Sequence, residues 1–280
     1  FMPSFYIIII LLSLPLNALA LVTFTCRIRE KKPAVIYMSH LACVDLLFAL
    51  LLPLKIHYQL NASDWLFGEA ACRVLTAAYY CYMYCSILLM MCMSVDRLLG
   101  VALPIASLTW RNARKASFIC ALVWLLALAG TVPILLMRQT VKIEDVGITC
   151  HDMMKANDKA SSYYAYLFSI LSCLYFFLPL VITLVSYSTI IYVLSVNAGK
   201  SRKRAVILIV TVLITFLVCF IPSNVMLVVH YSLLRNNSFN ASYGFYLTAL
   251  CIASLNSCLD PFIYYYVSDD FREEVKNTLQ

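Results

Sequence analysis

Seven stretches of the chain are apolar for long enough to cross a lipid bilayer, and this feature limits the fold more than any other. They cover about residues 5–26, 34–57, 72–103, 116–137, 162–194, 205–234 and 243–267. A helix of about 20 residues spans the hydrocarbon core, and a spanning segment must satisfy its backbone hydrogen bonds internally. The pattern predicts an all-α membrane protein, a seven-transmembrane helix bundle that forms a single domain over residues 1–280.

The composition agrees with a membrane protein and argues against a soluble enzyme. Hydrophobic residues make up 63% of the chain, charged residues 12%, and the mean hydropathy is +0.86, whereas soluble domains are about half apolar and a quarter charged. The chain has no Ser-His-Asp spacing, no phosphate-binding glycine-rich loop and no zinc motif. We therefore expect a protein that is not an enzyme and that requires no cofactor.

No cleavable signal peptide is expected at the start of the chain, because Phe1 opens almost directly onto a full-length apolar run. Either the first helix directs insertion, or a further segment precedes it.

Basic residues fall in alternate connections between the runs. The first, third and fifth connections contain Arg27, Arg29, Lys31, Lys32, Arg111, Arg114, Lys115, Lys200, Arg202, Lys203 and Arg204. Cytoplasmic loops carry the excess of lysine and arginine. These connections are therefore predicted to face the cytoplasm, with the N-terminus outside and the C-terminus inside. The N-x-S sequons at Asn61, Asn236 and Asn240 all fall in connections assigned to the outside, which makes them candidates for glycosylation.

Two cysteines differ from the others in position. Most of the twelve lie inside the apolar runs, where a thiol behaves as a small hydrophobe. Cys72 lies at the outer start of the third run, and Cys150 lies in the long outer connection between the fourth and fifth runs. Both are exposed to the oxidising compartment. We predict that they form a disulfide, which holds this connection over the helix bundle.

Asp260 and Pro261 lie in the middle of the seventh run. Lipid offers no partner for a carboxylate or for the carbonyl that a proline frees, so this pair must face protein or water. The simpler interpretation is a proline kink beside an acid held in the bundle. The functional interpretation is a hinge at Pro261, with Asp260 and Asn256 in a polar core that rearranges when the protein switches.

After Val267 the chain turns polar, and Phe271, Val275 and Leu279 recur at every fourth position. With Ser268 or Asp269 as its N-cap, this spacing predicts an amphipathic helix over residues 269–279 on the inner membrane surface. The alternative is a frayed polar tail.

Each of the seven runs contains a motif of one known family, in the family's order. The motif residues are Asn17, Asp45, Asp96-Arg97, Trp124, Pro179, Tyr187, Cys219-Phe220-Ile221-Pro222 and Asp260-Pro261-Phe262-Ile263-Tyr264. One such motif is weak, but seven in register are specific. Over its whole length the chain thus resembles a rhodopsin-like G protein-coupled receptor. The resemblance implies a multi-pass plasma-membrane receptor that signals to heterotrimeric G proteins.

A narrower resemblance rests on longer segments. They include Lys32-Pro33-Ala34-Val35-Ile36-Tyr37-Met38, Thr149-Cys150-His151-Asp152, Val229-His230-Tyr231 and Leu255-Asn256-Ser257-Cys258. These are similar to the protease-activated receptors, the thrombin-receptor group. In that group a protease cuts an extracellular N-terminal segment, and the new terminus folds back as a tethered ligand. The resemblance implies an activating serine protease and a tethered or free peptide agonist as partners, with the cut segment absent before Phe1.

The resemblance places Asp45 and Asp260 at mid-membrane, near Ser86 and Asn256. Two ionised acids in a low dielectric repel, so one must be protonated or a cation must lie between them. The resemblance implies an allosteric sodium ion that stabilises the inactive state. A hydrogen-bonded cluster with one neutral acid and no ion is the alternative, and Asp260 stands where many relatives carry asparagine.

The third and sixth runs carry the expected activation switch. We expect Asp96 to hold the Arg97 guanidinium while the receptor is off and to release it for a partner. A positive-inside anchor would explain Arg97 but not its acid neighbour. A kink at Pro222 would let the inner half of the sixth helix swing outward. The resemblance assigns the other parts of this switch to Ile87, Pro179, Tyr187, Phe216, Phe220 and Tyr264.

The resemblance also places a ligand site at the outer end of the bundle. Its side chains would be Tyr80, His151, Asp152, His230, Tyr231, Tyr243 and Tyr246. Asp152 would supply the negative charge that an ammonium or arginine of a peptide needs, and the tyrosines supply apolar faces with polar tips. Asp152 as a solvated loop acid is the alternative.

Two other functions compete with this interpretation. A receptor of the same fold for a nucleotide or lipid would need cationic side chains that converge in the outer pocket. A transporter or channel would show internal repeats or paired broken helices, and the sequence has neither. The basic inner loops suit anionic membrane lipids and an acidic surface of a heterotrimeric G protein. Arrestin is a further expected partner, and no nucleic acid is expected.

Overall fold

The computed structural model describes residues 1–151, 159–196, 200–235 and 243–280, apart from the side chains of residues 160, 161, 200, 201, 234 and 235. Within that part of the chain, seven helices are long and apolar enough to cross a membrane. The predicted all-α fold with seven spans is confirmed.

The seven helices follow the predicted runs to within a few residues. The first is an α-helix over Met2–Val22 that continues as a π-helical turn over Thr23–Arg27. The second, third and fourth helices are Pro33–Leu60, Gly68–Ala102 and Ala113–Leu135. The fifth consists of Lys159–Ser172, a π-helical turn at Cys173–Phe177, and Leu178–Val196, and the sixth and seventh are Lys200–Arg235 and Tyr243–Val267. Most of them extend past the apolar runs, because polar residues at the membrane surface can still continue a helix.

Two structured connections were not predicted from the sequence. A short helix, Pro104–Trp110, lies between the third and fourth helices. An antiparallel hairpin of β1 (Thr140–Ile143) and β2 (Gly147–Cys150) lies between the fourth and fifth, with Thr140 opposite Cys150. Both segments lie outside the hydrocarbon-length runs, where the apolar pattern carries no information.

The predicted amphipathic helix is present as Asp269–Leu279. The Ser268 hydroxyl caps it by accepting a hydrogen bond from the Phe271 N–H at 3.3 Å. The Phe271 ring stacks on Phe24 at 4.9 Å between ring centroids, so the tail packs against the C-terminal end of the first helix.

Buried polar side chains mark where the bundle interior lies. Asn17 of the first helix donates from Nδ2 to the Ser257 carbonyl oxygen of the seventh at 2.9 Å. Large apolar side chains fill the core beside these polar groups, and many others face outward, such as Leu11, Leu50, Leu125, Val185 and Val218. This apolar outer surface suits a bundle surrounded by lipid, because lipid tails accept apolar surface without penalty.

Candidate functional site

The β1–β2 hairpin is tied to the outer end of the third helix by two kinds of bond. Cys150 forms a disulfide with Cys72, the pairing that the sequence predicts. Glu69, one turn before Cys72, accepts hydrogen bonds from the backbone N–H groups of Gln139 at 2.8 Å and Thr140 at 3.0 Å. The hairpin is therefore held at its first strand by a carboxylate and at the end of its second strand by a covalent bond.

The loop between the second and third helices gives the hairpin a third anchor. The Trp65 N–H donates to the Ile148 carbonyl oxygen at 2.6 Å, and Asp64 Oδ1 accepts from the Ile148 N–H at 2.9 Å. Gly147 has a φ of +115°, and a Cβ there would lie 2.4 Å from Asp64 Oδ1. Any side chain at this position would displace the Asp64 carboxylate that bonds to β2.

His151 comes directly after β2 and has a left-handed backbone with a φ of +65°. Such a conformation costs on the order of 1 kcal/mol for a residue other than glycine and tends to persist where the surroundings enforce it. Here the His151 N–H donates to the Gln139 carbonyl oxygen at 2.9 Å, and the Tyr231 hydroxyl donates to the His151 carbonyl oxygen at 3.0 Å. The enforced turn carries the imidazole to the helix bundle.

The imidazole of His151 has three polar side chains within hydrogen-bonding distance, and one of them, the Tyr231 hydroxyl, lies 3.2 Å from Nε2. Its Nε2 is 2.8 Å from the Tyr80 hydroxyl, and its Nδ1 is 2.9 Å from Gln139 Oε1. Burial lowers the pKa of His151 from 6.5 to about 3, and electrostatic interaction with Lys55 and His230 adds to this effect. The ring is therefore neutral at physiological pH.

Aromatic side chains from the sixth and seventh helices complete the outer site. The His230 ring stacks on Tyr246 with centroids 4.2 Å apart and lies 6.2 Å from Tyr243. Tyr231 stacks on Phe168 of the fifth helix at 4.6 Å. The structure thus gathers six residues of the predicted ligand site at one end of the bundle. Asp152, the seventh, lies outside the described residues.

A cavity of about 50 Å³ opens beside this cluster, which is room for a few water molecules. Its lining includes Lys55, Tyr79, His151, Tyr246 and Ser254. The sequence interpretation missed Lys55, although a lysine near the outer end of an apolar run is a signal. It also missed Gln139, which no motif distinguishes.

The polar core consists of the four residues that the resemblance names: Asp45, Ser86, Asn256 and Asp260, all with no exposed surface. Asn256 Nδ2 donates to Asp260 Oδ2 at 3.3 Å. Among the described residues, no hydrogen-bond partner reaches either Asp45 oxygen, Ser86 Oγ, Asn256 Oδ1 or Asp260 Oδ1. Buried carboxylate, hydroxyl and amide oxygens without donors fit a small hard cation, and they fit equally a proton shared between the acids.

The contacts of Asp96, near the C-terminal end of the third helix, show that one sequence prediction is wrong. Both oxygens of Asp96 accept hydrogen bonds from Arg111, at 2.9 and 2.7 Å, so Asp96 does not hold Arg97 as expected. Neighbouring residues on a helix point to different faces. Arg97 instead lies close enough to Tyr187 to interact with it electrostatically.

The residues predicted for the switch in the sixth helix are packed into the core. Phe216 lies edge-on to Phe220 at 5.5 Å, and the Phe176 ring lies 6.5 Å from Phe216. Pro222 lies within the sixth helix. Ile87 has no exposed surface. Pro179 is buried.

Tyr187 and Tyr264, the two tyrosines that the resemblance assigns to the switch, lie in different clusters in this structure. Tyr187 packs with Ile209 and Val212 of the sixth helix, whereas Tyr264 lies 5.4 Å from Phe24 of the first. A bridge between them would require movement of the fifth or seventh helix.

The candidate glycosylation sites remain predictions. Asn61 is exposed directly after the second helix, and its Nδ2 lies 3.0 Å from His57 Nδ1. Asn236 and Asn240 lie outside the described residues.

Comparison with known proteins supports the same class of protein as the fold and the site. The family model described as "7 transmembrane receptor (rhodopsin family)" matches residues 16–264. The chain belongs to that family. It is 46% identical to Proteinase-activated receptor 1 of Homo sapiens, over the whole of this chain and 67% of the relative. It is 44% identical to Proteinase-activated receptor 1 of Mus musculus, covering 66% of it, and 42% identical to Proteinase-activated receptor 2 of Rattus norvegicus, covering 71%. The predicted place among the protease-activated receptors is confirmed.

Proposed function

We propose that this chain is a G protein-coupled receptor that is activated by a peptide ligand unmasked by proteolysis. The observation that carries the proposal is the 46% identity to a proteinase-activated receptor over the entire chain. The protease would act on an extracellular segment before the first helix, and the new N-terminus would act as a tethered ligand. The receptor would lie in the plasma membrane with its N-terminus outside and its C-terminus in the cytoplasm.

The outer site supports a peptide ligand over the competing ligands. Its described walls are tyrosine, phenylalanine and histidine rings with polar tips, such as Tyr80, Phe168 and His230, which suit apolar and amide groups of a peptide. A nucleotide or anionic lipid would need several cations, and the cavity lining among the described residues contributes Lys55 alone. Asp152 stays a proposed partner for a positive charge on the peptide, and this assignment rests on the sequence.

The contacts of the hairpin suggest how a ligand would act on the sixth helix. The Tyr231 hydroxyl bonds to the His151 backbone, and the His230 ring stacks on Tyr246. A peptide that enters between these groups must break or replace these contacts, and so it biases the position of the outer half of the sixth helix. We propose that Pro222 converts this bias into outward movement of the inner half, which opens a site for a heterotrimeric G protein and then for arrestin.

We also propose that the polar core binds a sodium ion in the inactive state. The support is the set of buried oxygens on Asp45, Ser86, Asn256 and Asp260 that have no partner among the described residues. A sodium ion would offset one of the two negative charges and would bridge the second, third and seventh helices, which carry Asp45, Ser86 and Asp260. Agonist binding would then have to displace the ion. Bound sodium would therefore lower the affinity for the agonist, and bound agonist would lower the affinity for sodium.

The direct test of the function expresses the receptor in cells that lack other protease-activated receptors. Thrombin-like and trypsin-like proteases are applied, and calcium release is recorded. We expect a response to at least one protease, and we expect mutation of the cleavage site to abolish it. A receptor that ignores proteases but responds to a nucleotide or lipid would contradict the proposal, and flux through reconstituted vesicles would indicate a transporter or channel instead.

A further inference from the structure

We propose that Gln139 is a positioning residue of the outer site, which holds His151 as a single neutral tautomer with its proton on Nδ1. The Nε2 of His151 then remains a hydrogen-bond acceptor directed at Tyr80. The tautomer itself follows from the contacts, and its use in ligand recognition rests on the proposed function of this site.

The orientation of the Gln139 side-chain amide is set by helix four. Gln139 Nε2 lies 2.8 Å from the Ile134 carbonyl oxygen. A carbonyl can only accept, so the group beside it must be the amide NH₂ and not the amide oxygen. The amide oxygen, Oε1, therefore points in the other direction, where it lies 2.9 Å from His151 Nδ1.

The amide orientation in turn decides where the imidazole proton lies. Gln139 Oε1 can only accept, so His151 Nδ1 must donate to it and must carry a hydrogen. In a neutral imidazole the other nitrogen is then an acceptor. The Tyr80 hydroxyl, 2.8 Å from Nε2, must donate to it. The opposite tautomer would set two acceptors against each other at Nδ1.

Gln139 is itself fixed at its backbone. Its N–H donates to Glu69 Oε1 at 2.8 Å, and its carbonyl oxygen accepts from the His151 N–H at 2.9 Å. With 3% of its surface exposed, Gln139 has little freedom to turn. The amide thus acts as a rigid template for the imidazole and not as a mobile neighbour.

The tautomer of His151 decides which ligand groups can bind beside it, because of the side chains that surround the ring. Tyr80 of the third helix and Tyr231 of the sixth bond to it, while Lys55 of the second helix and His230 of the sixth lie near enough to act on its charge. Neighbouring positive charge opposes a proton on Nε2. A ligand group that takes the place of the Tyr80 hydroxyl must therefore be a donor, such as a peptide N–H or an ammonium.

The test uses nitrogen-15 spectra of the imidazole rings in the purified receptor, which need neither a ligand nor signalling. The chain has four histidines, and a His151→Asn variant assigns the signals of His151. We expect a protonated Nδ1 and an unprotonated Nε2 from pH 7.5 down to about pH 5. Gln139→Met, which keeps the length but removes the acceptor, should give the averaged shifts of two exchanging tautomers.

A second variant and a matched control complete the experiment. Gln139→Glu places a carboxylate beside Nδ1 and should raise the midpoint of the His151 titration by at least one pH unit. Lys142→Met, which changes an exposed side chain of β1 three residues after Gln139, should leave the His151 spectrum as it is in the parent. A proton on Nε2 in the parent receptor, or a single Nδ1 tautomer that persists in Gln139→Met, would overturn the proposal.

The same variants separate this inference from the proposed function. If no protease or peptide activates the parent receptor, the proposed function is wrong. The nitrogen-15 spectra still test the tautomer in that case. If the parent responds to peptide, Gln139→Met should raise the peptide concentration for half-maximal response about tenfold, and Gln139→Glu should shift the pH profile of activation. A normal response with an unchanged pH profile in both variants would leave Gln139 without a role in recognition.

Discussion

Arg111 donates two parallel hydrogen bonds to Asp96, from Nε to Oδ1 at 2.9 Å and from Nη2 to Oδ2 at 2.7 Å. This side-by-side geometry is the strongest that an arginine and a carboxylate can form. The bonds to Asp96 also raise the pKa of Arg111 above its usual value. The pair joins the C-terminal end of the third helix to the connection before the fourth.

Gly100 makes room for this ion pair. A Cβ at residue 100 would lie 2.4 Å from Nη1 of Arg111, so the guanidinium rests against the backbone of the third helix. The pair therefore depends on a small residue one turn beyond Asp96.

We predict that Arg111→Ala destabilises the inactive arrangement and raises basal signalling. The loss removes two charge-assisted hydrogen bonds, each worth roughly 1.5–3 kcal/mol at most, from a carboxylate that is 9% exposed. We expect about 1–3 kcal/mol in total, because the Arg111 side chain is 30% exposed and solvent screens it. Agonist-free signalling and the melting temperature of the purified receptor measure the two effects.

Two further variants identify the ion pair as the cause. Gly100→Ala should act in the same direction as Arg111→Ala, because its methyl group displaces the guanidinium. Arg114→Ala removes a neighbouring exposed basic residue and should change neither quantity. If Arg111→Ala and Arg114→Ala behave alike, the effect comes from the general charge of the loop.

A second prediction concerns acid sensitivity at the outer site. The pKa of His151 is about 3 in the folded receptor and 6.5 in its ordinary state. Above pH 6.5 both forms are neutral, so stability does not depend on this group. Below pH 6.5 His151 binds a proton when the hairpin is detached and the ring is in water, but not when the ring is buried in the folded receptor. The free energy that holds the hairpin in place therefore falls by at most about 1.4 kcal/mol per pH unit.

Melting temperatures recorded between pH 7.5 and pH 5.0 test this linkage. The stability of the parent receptor should fall by up to about 2 kcal/mol between pH 6.5 and pH 5.0, and the stability of His151→Asn should fall by less. His57→Gln, which changes an exposed histidine, should keep the full dependence. An identical slope in His151→Asn and the parent would assign the acid sensitivity to other groups.

The third prediction concerns the carboxylate anchor of the hairpin. Glu69 accepts from the Gln139 and Thr140 N–H groups, from the Thr140 hydroxyl and from Arg73 Nε. Glu69→Gln removes the charge and replaces one acceptor oxygen by a donor. We expect amide hydrogen exchange at residues 139–141 to rise about tenfold, which corresponds to a loss of about 1.4 kcal/mol.

This anchor is separate from the disulfide, so the effect should appear with Cys72–Cys150 intact. Glu144→Gln, an exposed acid in the hairpin turn, serves as the control. Unchanged exchange in Glu69→Gln would mean that the disulfide and the Asp64 contacts hold the hairpin without it.

The fourth prediction tests the proposed ion in the polar core. Raising sodium should lower the affinity for a peptide agonist, because the ion and the agonist favour different arrangements of the bundle. Asp45→Asn removes one charge from the site and should abolish this sodium dependence. Potassium at equal ionic strength is the control for screening. A sodium effect that survives Asp45→Asn would exclude the site.

The spans, the tail helix and the disulfide partners could be predicted from the sequence because each depends on local chemistry. Twenty apolar residues suit a bilayer whatever surrounds them, and the spacing of Phe271, Val275 and Leu279 indicates an amphipathic helix by itself. Cys72 and Cys150 were distinguished from the other cysteines by lying at the outer side. Motif order then identified the family, and hence the residues of the polar core.

Other contacts were decided by tertiary structure, because they join side chains that are distant in sequence. Asp96 is paired with Arg111, fifteen residues away, although Arg97 is its neighbour in the chain. Gln139 meets His151 only because a two-stranded hairpin sets them opposite each other. The apolar pattern determines which segments enter the membrane, since lipid acts on each segment separately. Which polar groups meet depends on how the helices and loops pack together, and a one-dimensional pattern does not contain that information.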